Sequence, residues 1–285
     1  MTMPDQPLVS ILTPTYNSAR YLEELIRSVE AQDYPHIEHI VIDDGSTDDG
    51  ATVAVLRRHP RVRWWSRENR GQYPTLNEGL RAATGDFVTV ISADDAYADS
   101  GAIAAMARFL VAHPGTDVVH GYTRHLDADG APLPVQPYQR YPAWMARYNL
   151  GCILHCSMLV RREPVLRHGL FFDETLRYVA DADWLIRLYQ TNLRFGRIER
   201  DIGAYRHHAQ QVSTVASGDQ SAAVSRLAEH AVVRARYPAS RAVQALVAAY
   251  DTFQQRRVKA QGAWRAGGAA RLFAVSAEWW KRRRS

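Results

Sequence analysis

Two hydrophobic rhythms alternate over the first 116 residues. Leu8 to Thr13 is a short, mostly apolar run stopped by Pro14, the pattern of a strand covered on both faces. Leu22, Leu25, Ile26 and Val29 then recur at i, i+3, i+4 and i+7, one face of a helix that Asn17 or Ser18 can cap. The cycle repeats with a strand over Ile37 to Ile42, the turn-forming run Asp43-Asp44-Gly45-Ser46-Thr47-Asp48, a helical stretch through Leu56, and a third strand over Val62 to Trp65. Leu76, Leu80 and Ala83 mark a helix closed by Gly85, Phe87 to Ile91 a fourth strand, and Ile103, Met106 and Leu110 another helix. Such alternation predicts a parallel sheet with helices on both faces, whose ligands sit beyond the carboxyl ends of the strands.

Past residue 116 the rhythm changes. Val118 to Thr123, the Asp129-Gly130 turn and a Pro-rich stretch over 132–142 predict irregular and antiparallel structure. Ser157 to Val160 and Phe195 to Ile198 read as further strands, and Asp183 to Tyr189 as a helix. Beyond about residue 218 the sequence is helix-like throughout, with Leu227, Val232 and Val233, then Val243, Leu246, Val247 and Tyr250 as its apolar positions.

Composition narrows this only slightly. The chain has 285 residues, 46% of them apolar and 23% charged, enough for one large domain or a domain with an appendage. No apolar run approaches the ~20 residues of a membrane-spanning helix. Met1-Thr2-Met3-Pro4-Asp5-Gln6 lacks the basic and apolar regions of a secretory signal, and two cysteines, Cys152 and Cys156, make no disulfide framework. The expected location is therefore the cytoplasm. The net charge of +5 belongs to the tail: from residue 254 onward nine basic side chains face one acid, Glu278, so the rest of the chain is slightly acidic. Trp264, Phe273, Trp279 and Trp280 lie among those basic residues. The mixture suits peripheral contact with an anionic membrane, at the inner face of the bilayer, and equally suits aromatics packed on the domain with the arginines solvated. No recognition module for nucleic acid accompanies it.

The polar clusters fall where ligands are expected: Pro14-Thr15-Tyr16-Asn17 after the first strand, Asp43-Asp44 after the second, Ala93-Asp94-Asp95 after the fourth. Adjacent carboxylates repel, so Asp94-Asp95 needs water, a basic partner or a metal ion to compensate it. Each cluster also has a bland reading. Asp94-Asp95 can be a solvated helix cap, Asp43-Asp44 turn chemistry, and Asp181 with Asp183 a helix first turn favoured by its dipole. Cys152-Ile153-Leu154-His155-Cys156 lacks a second ligand pair and reads as core rather than zinc.

The order of these motifs resembles the family 2 glycosyltransferases of GT-A fold, over roughly residues 7 to 215. The segment Gly71 to Asp86, with Asn77, Gly79 and Gly85-Asp86, is similar to the family's link between its third and fourth strands. Ala180-Asp181-Ala182-Asp183-Trp184 followed by Arg187-Leu188 is similar to its base motif, and Tyr205-Arg206-His207-His208 with Val212-Ser213-Thr214 to a late segment that returns a histidine to the site. The resemblance implies a Rossmann-like mixed sheet over residues 1–215. The nucleotide-sugar part lies within about 7–116, the acceptor and base part within about 117–215, and a basic helical extension over 216–285. It implies an inverting enzyme moving a sugar from a UDP- or dTDP-linked donor to a hydroxyl of a glycan, lipid-linked glycan or small natural product. In that scheme Mg²⁺ or Mn²⁺ is bound by Asp95, with His208 as a further contact. Pro14, Thr15, Tyr16, Asn17, Asp43, Asp44, Asn77 and Asp94 serve the donor. Asp181 or Asp183 is the base, and His155 and Trp184 lie near the acceptor. Ala180 stands where the family usually has an acid, and Asn69 and Pro74 also depart from its pattern. A homodimer stays open. A nucleotidyltransferase would show a Gly-rich, basic phosphate loop after the first strand, which Pro14-Thr15-Tyr16-Asn17 is not; a silent nucleotide-sugar-binding module would lack the base.

Overall fold

The structure, a computed structural model, describes residues 6–133, 153–211 and 220–265. Cys152, most of the Pro-rich stretch, Val212-Ser213-Thr214 and the last aromatics of the tail lie outside these residues. The first half follows the predicted alternation: β1 (Val9–Thr15), α1 (Ala19–Glu30), β2 (Ile37–Asp43), α2 (Ala51–Arg57), β3 (Arg63–Ser66), α3 (Gln72–Ala82), β4 (Phe87–Val90), β5 (Ala96–Tyr97) and α4 (Ala102–Ala112). Then come β6 (Val118–Leu126), a 3₁₀ turn (His155–Ser157), β7 (Met158–Arg161), α5 (Arg162–Arg167), α6 (Ala180–Gln190), β8 (Phe195–Arg206), α7 (Gln220–Arg236) and α8 (Arg241–Arg265).

The eight strands form one mixed sheet in the order β3-β2-β1-β4-β7-β6-β8-β5. The first four strands in that order run parallel, β7 is antiparallel to both β4 and β6, and β6 and β8 are parallel. Register decides where the chemistry sits. Thr15 lies opposite Asp43, and Asp43 opposite Ser66, so three strands end at one level.

Alternation along each strand feeds two cores. Leu12, Ile40, Ile42, Val88 and Val90 face α3 and α6, while Ile11, Val41, Phe87 and Ile91 face α1, α2 and α4. The helical extension packs on the first of these cores: Val233 of α7 is fully buried there, with Tyr237, Val247 and Tyr250 partly buried beside it. Among the described residues no helix is long and apolar enough to cross a membrane.

Three local differences have physical causes. Ser18 occupies the N-cap of α1 without capping it, because its hydroxyl donates to Tyr16 O and the Asn17 amide is engaged by Thr47. β8 runs to Arg206, well past Ile198; Glu199-Arg200-Asp201 breaks its apolar pattern, yet Ile202 to Ala204 returns to the interior between β6 and β5. α5 carries Pro164 near its start, where the ring costs no helical hydrogen bond.

Candidate active site

At the end of β1 the chain turns through Asn17, at φ +50°, and is stitched to the turn after β2. Asn17 N–H donates to Ser46 Oγ (2.9 Å), Thr47 N–H donates to Asn17 Oδ1 (2.7 Å), and Asn17 Nδ2 donates to Thr47 Oγ1 (3.2 Å). Gly45 makes this close approach possible: at φ +72° a side chain would be strained, and its Cβ would sit 2.8 Å from Arg67 O. Tyr16 is 46% exposed at the rim, Pro14 is half-buried, and Thr15 is buried with its hydroxyl unpartnered.

Asp43 and Asp44 are buried and saturated. Asp43 accepts from Ser46 N–H and from the Ser46 and Ser66 hydroxyls. Asp44 accepts from Arg70 N–H and Gly71 N–H, both at 2.8 Å, and from the Arg67 guanidinium. Arg67, which the motifs did not single out, also donates to Glu78 (2.8 Å) and Thr75 (2.7 Å). This pair therefore holds the loops on either side of β3 in place.

Asp94 and Asp95 are different. Asp95 is 1% exposed; its Oδ1 accepts from Arg206 N–H at 3.0 Å, and its Oδ2 is buried without a partner. Burial, and then the neighbouring Asp94 charge, push its carboxyl well above the usual range, with Arg206 opposing. Asp94 Oδ2 lies 2.8 Å from His208 Nε2, and its backbone carbonyl accepts from Arg206 Nε. The predicted metal contact His208 thus sits on Asp94 rather than Asp95. Arg206 is itself buried, donating to Glu24 of α1 across the Tyr21 ring. His207 turns away to pair with His125, Nε2 to Nδ1 at 2.8 Å.

The two candidate bases on α6 have opposite surroundings. Asp181 is 38% exposed; its Oδ1 accepts from Ala182 N–H (2.8 Å) and from the Tyr73 hydroxyl (3.3 Å), and its Oδ2 lies 3.9 Å from His155 Nδ1. Asp183 is buried and fully engaged by Arg187 (2.7 Å), the Tyr237 hydroxyl (2.9 Å) and Arg236 (3.4 Å). Trp184 and Asn77 are likewise interior. The Trp184 indole donates to Leu170 O at 2.6 Å and stacks on Phe172. Asn77 exchanges two hydrogen bonds with the backbone of Phe172. His155 is largely but not fully buried between the two halves of the site, its Nε2 3.2 Å from Ser92 Oγ. The structure therefore gathers Asp94, Asp95, His208, Ser92, His155 and Asp181 at one edge of the sheet, and keeps Asp183, Trp184 and Asn77 in the core.

Comparisons agree with this architecture. A family profile described as "Glycosyl transferase family 2" matches residues 10–169. An uncharacterized glycosyltransferase of Rickettsia typhi is 32% identical over 215 residues, covering 73% of this chain and 67% of that protein. A relative in Rickettsia felis has the same identity, but the matched part is 35% of its length. Among solved structures, S. aureus TarS 1-349 in complex with UDP-GlcNAc superposes with a TM-score of 0.63 at 19% identity, covering 89% of this chain and 71% of that one. The mannosyltransferase PcManGT of Pyrobaculum calidifontis, in complex with GDP-Man and Mn²⁺, gives 0.61 at 21% identity, covering 96% and 80%.

Proposed function

Given that the chain belongs to glycosyl transferase family 2 and is a glycosyltransferase of GT-A-like fold, we propose that it transfers a sugar, with inversion, from a UDP- or dTDP-linked donor to a hydroxyl of a glycan, lipid-linked glycan or small natural product. The observation that carries the reading is the contrast among its acids. Asp181 keeps a solvent-accessible carboxylate across the Ser92–His155 link from Asp94-Asp95, while Asp183 is consumed by Arg187, Arg236 and Tyr237. Asp181 is thus assigned as the base. The acceptor oxygen bonds to the anomeric carbon and its proton passes to Asp181. The anomeric bond to the diphosphate breaks, its electron pair leaving on the nucleoside diphosphate. Attack from the face opposite the leaving group gives inversion.

Pro14-Thr15-Tyr16-Asn17 at the end of β1 contains no basic side chain, so the nucleotide is held there by shape and hydrogen bonding. Exposed Tyr16 offers a ring face, and Asp43 and Asp44 fix the loops that wall the pocket. Asp95 fits a divalent cation, because its buried Oδ2 lacks any partner and a second carboxylate adjoins it. No three His, Cys, Asp or Glu side chains among the described residues are arranged to hold a metal alone. That matches Mg²⁺ or Mn²⁺ sites in which one or two carboxylates share the ion with substrate phosphates. Asp95 would hold the ion, with His208 the second candidate ligand; when bound, it supplies Lewis-acid neutralisation of the diphosphate charge. Neighbouring folds that bind UDP, UDP-GlcNAc and GDP-Man support the donor class.

The test is a thermal-shift screen with UDP-GlcNAc, UDP-glucose, dTDP-glucose and GDP-mannose, with and without Mn²⁺, followed by nucleoside diphosphate release. Asp181→Asn should keep the donor-induced shift and lose turnover. If Asp181→Asn and Asp183→Asn both turn over at the parent rate, the assignment of a base on α6 fails; a parent chain that gives the donor-induced shift but releases no nucleoside diphosphate is a silent binding module instead.

A further inference from the structure

Nδ1 of His155 is buried, has no hydrogen-bond partner, and lies 3.9 Å from Asp181 Oδ2. The ring is fixed from the other side, since Nε2 lies 3.2 Å from Ser92 Oγ at the end of β4. Its side chain is 12% exposed, and the 3₁₀ turn that carries it leads directly into β7, a strand of the central sheet. Burial pushes the imidazole down in pKa more than the charges of Asp181 and Asp94 lift it, so the ring is neutral and has one N–H to give.

Two tautomers are then available. If Nε2–H donates to Ser92 Oγ, the buried Nδ1 lone pair faces an anionic oxygen 3.9 Å away, a repulsive arrangement that leaves Nδ1 without a donor or acceptor partner. If the Ser92 hydroxyl donates to Nε2 instead, Nδ1–H faces the carboxylate and both contacts are attractive. We propose that the second arrangement holds, and that His155 is a positioning residue for Asp181, its Nδ1–H fixing Oδ2 while Tyr73 and the Ala182 amide fix Oδ1. This rests on the reading of Asp181 as the base. The 3.9 Å separation is longer than a hydrogen bond, and catalytic hydrogen bonds commonly tighten only in the reactant complex.

Among the described residues, the titratable groups facing this pair come from three elements. Asp94 approaches from the end of β4, Tyr73 from α3, and Glu229 and His230 from α7. His230 is itself pushed down by burial and by Arg234 and Arg226, with Asp181 and Glu229 opposing, so the ring adds little positive charge beside Asp181. The donor-side strand end is thereby linked to the base by a Ser92–His155–Asp181 chain. The same order of groups activates nucleophilic serines in other proteins, and labelling decides between the two roles.

Long-range ¹⁵N–¹H correlation of the histidine rings in the full chain, with His155 assigned by its loss in His155→Asn, reads the tautomer without any turnover. The expected result is Nδ1–H between about pH 6 and about pH 8, shifting toward Nε2–H in Asp181→Asn. An Nε2–H ring in the parent protein overturns the proposal, as does fluorophosphonate labelling of Ser92. In nucleoside diphosphate release from UDP-GlcNAc or GDP-mannose, His155→Ala should lower kcat about 10- to 100-fold, the size of effect seen when an outer partner of a functional group is lost. It should also move the acidic limb of the rate profile to higher pH and leave donor affinity unchanged. His155→Asn, whose amide nitrogen falls near Nδ1, should recover much of the loss, and His155→Gln should not. An unchanged profile in His155→Ala beside an inactive Asp181→Asn removes the positioning role alone; full turnover of Asp181→Asn removes the base reading beneath it.

Discussion

Asn77→Ala separates a residue that serves the fold from one that serves the donor. The side chain is 1% exposed; its Nδ2 donates to Phe172 O at 2.9 Å and to Glu174 Oε1 at 2.8 Å, and its Oδ1 accepts from Phe172 N–H at 2.7 Å. Alanine removes all three bonds. Glu174 is exposed and regains water, but the amide and carbonyl of buried Phe172 are left without partners, at about 1–3 kcal/mol each. The expected loss is therefore about 2–6 kcal/mol, or a Tm lower by roughly 4–24 °C in a domain of this size. Phe172 also stacks on Tyr73 and Trp184, and Tyr73 donates to Asp181, so turnover should fall along with stability. Urea unfolding gives the stability change, and isothermal titration well below the transition gives the affinity for a nucleotide sugar, which should stay within about twofold of the parent. A variant as stable as the parent that binds donor about tenfold more weakly would refute this reasoning and make Asn77 a donor contact.

Three further outcomes follow from buried charge and from the docking of α7. Asp95→Asn should stabilise the metal-free protein by about 1 kcal/mol, because it removes a buried charge with an unpartnered oxygen, while abolishing any Mn²⁺-dependent thermal shift; a lower metal-free Tm would contradict this. Burial holds the rings of His39, His120 and His125 at about 3, 4 and 4, so they stay neutral in the folded state while the unfolded chain takes up protons below about 6.5. Stability should thus fall with pH below that value, by up to about 1.4 kcal/mol per pH unit for each ring until its folded pKa is reached. His39→Gln should flatten the dependence of the urea midpoint on pH, and an unchanged slope would count against it. Glu229 of α7 accepts from Arg177 N–H (2.9 Å) and Tyr178 N–H (2.7 Å) just before α6, so Glu229→Ala should cost about 1–3 kcal/mol by denaturation and slow turnover without weakening donor binding. Equal stability and rate would mean that α7 does not brace the base.

The alternation of strand and helix was legible because each strand of the first half alternates its inward residues between two cores, and each helix shows one apolar face. Asp94-Asp95, Asp43-Asp44 and Asp181 could be found as acids at strand and helix ends. Of the groups around them, His208 and His155 were reached only through the family resemblance, and Tyr73 and Arg67 not at all. Tyr73 sits at a buried helix position that reads as core, and Arg67 reads as a solvated charge between β3 and α3. His155 lies far in sequence from both Ser92 and Asp181, so no spacing rule connects them. The helical tail read as an appendage for the same reason. Val233, Glu229 and Tyr237 meet the α6 side of the molecule across long sequence separations, 51 residues for Glu229 to Tyr178 and 54 for Tyr237 to Asp183, which no local pattern reports.

Hydrogen-bond saturation sorts the aspartates better than position does. Asp43, Asp44 and Asp183 each accept from three or more donors, several of them charged or backbone groups that cannot move away cheaply. A buried carboxylate in that state has little capacity left for a ligand, and its work is to hold loops and helices in register. Asp95 has a buried oxygen with no donor, and Asp181 an oxygen facing a ring nitrogen across 3.9 Å. A native fold tolerates a buried unpartnered group such as the Asp95 oxygen where a ligand or an ion completes it, whereas Asp181 keeps its carboxylate open to solvent. The incomplete acids are the two that the proposed chemistry needs, one at the diphosphate and one at the acceptor. The complete ones hold the loops around β3 and the contact of α6 with the end of α7.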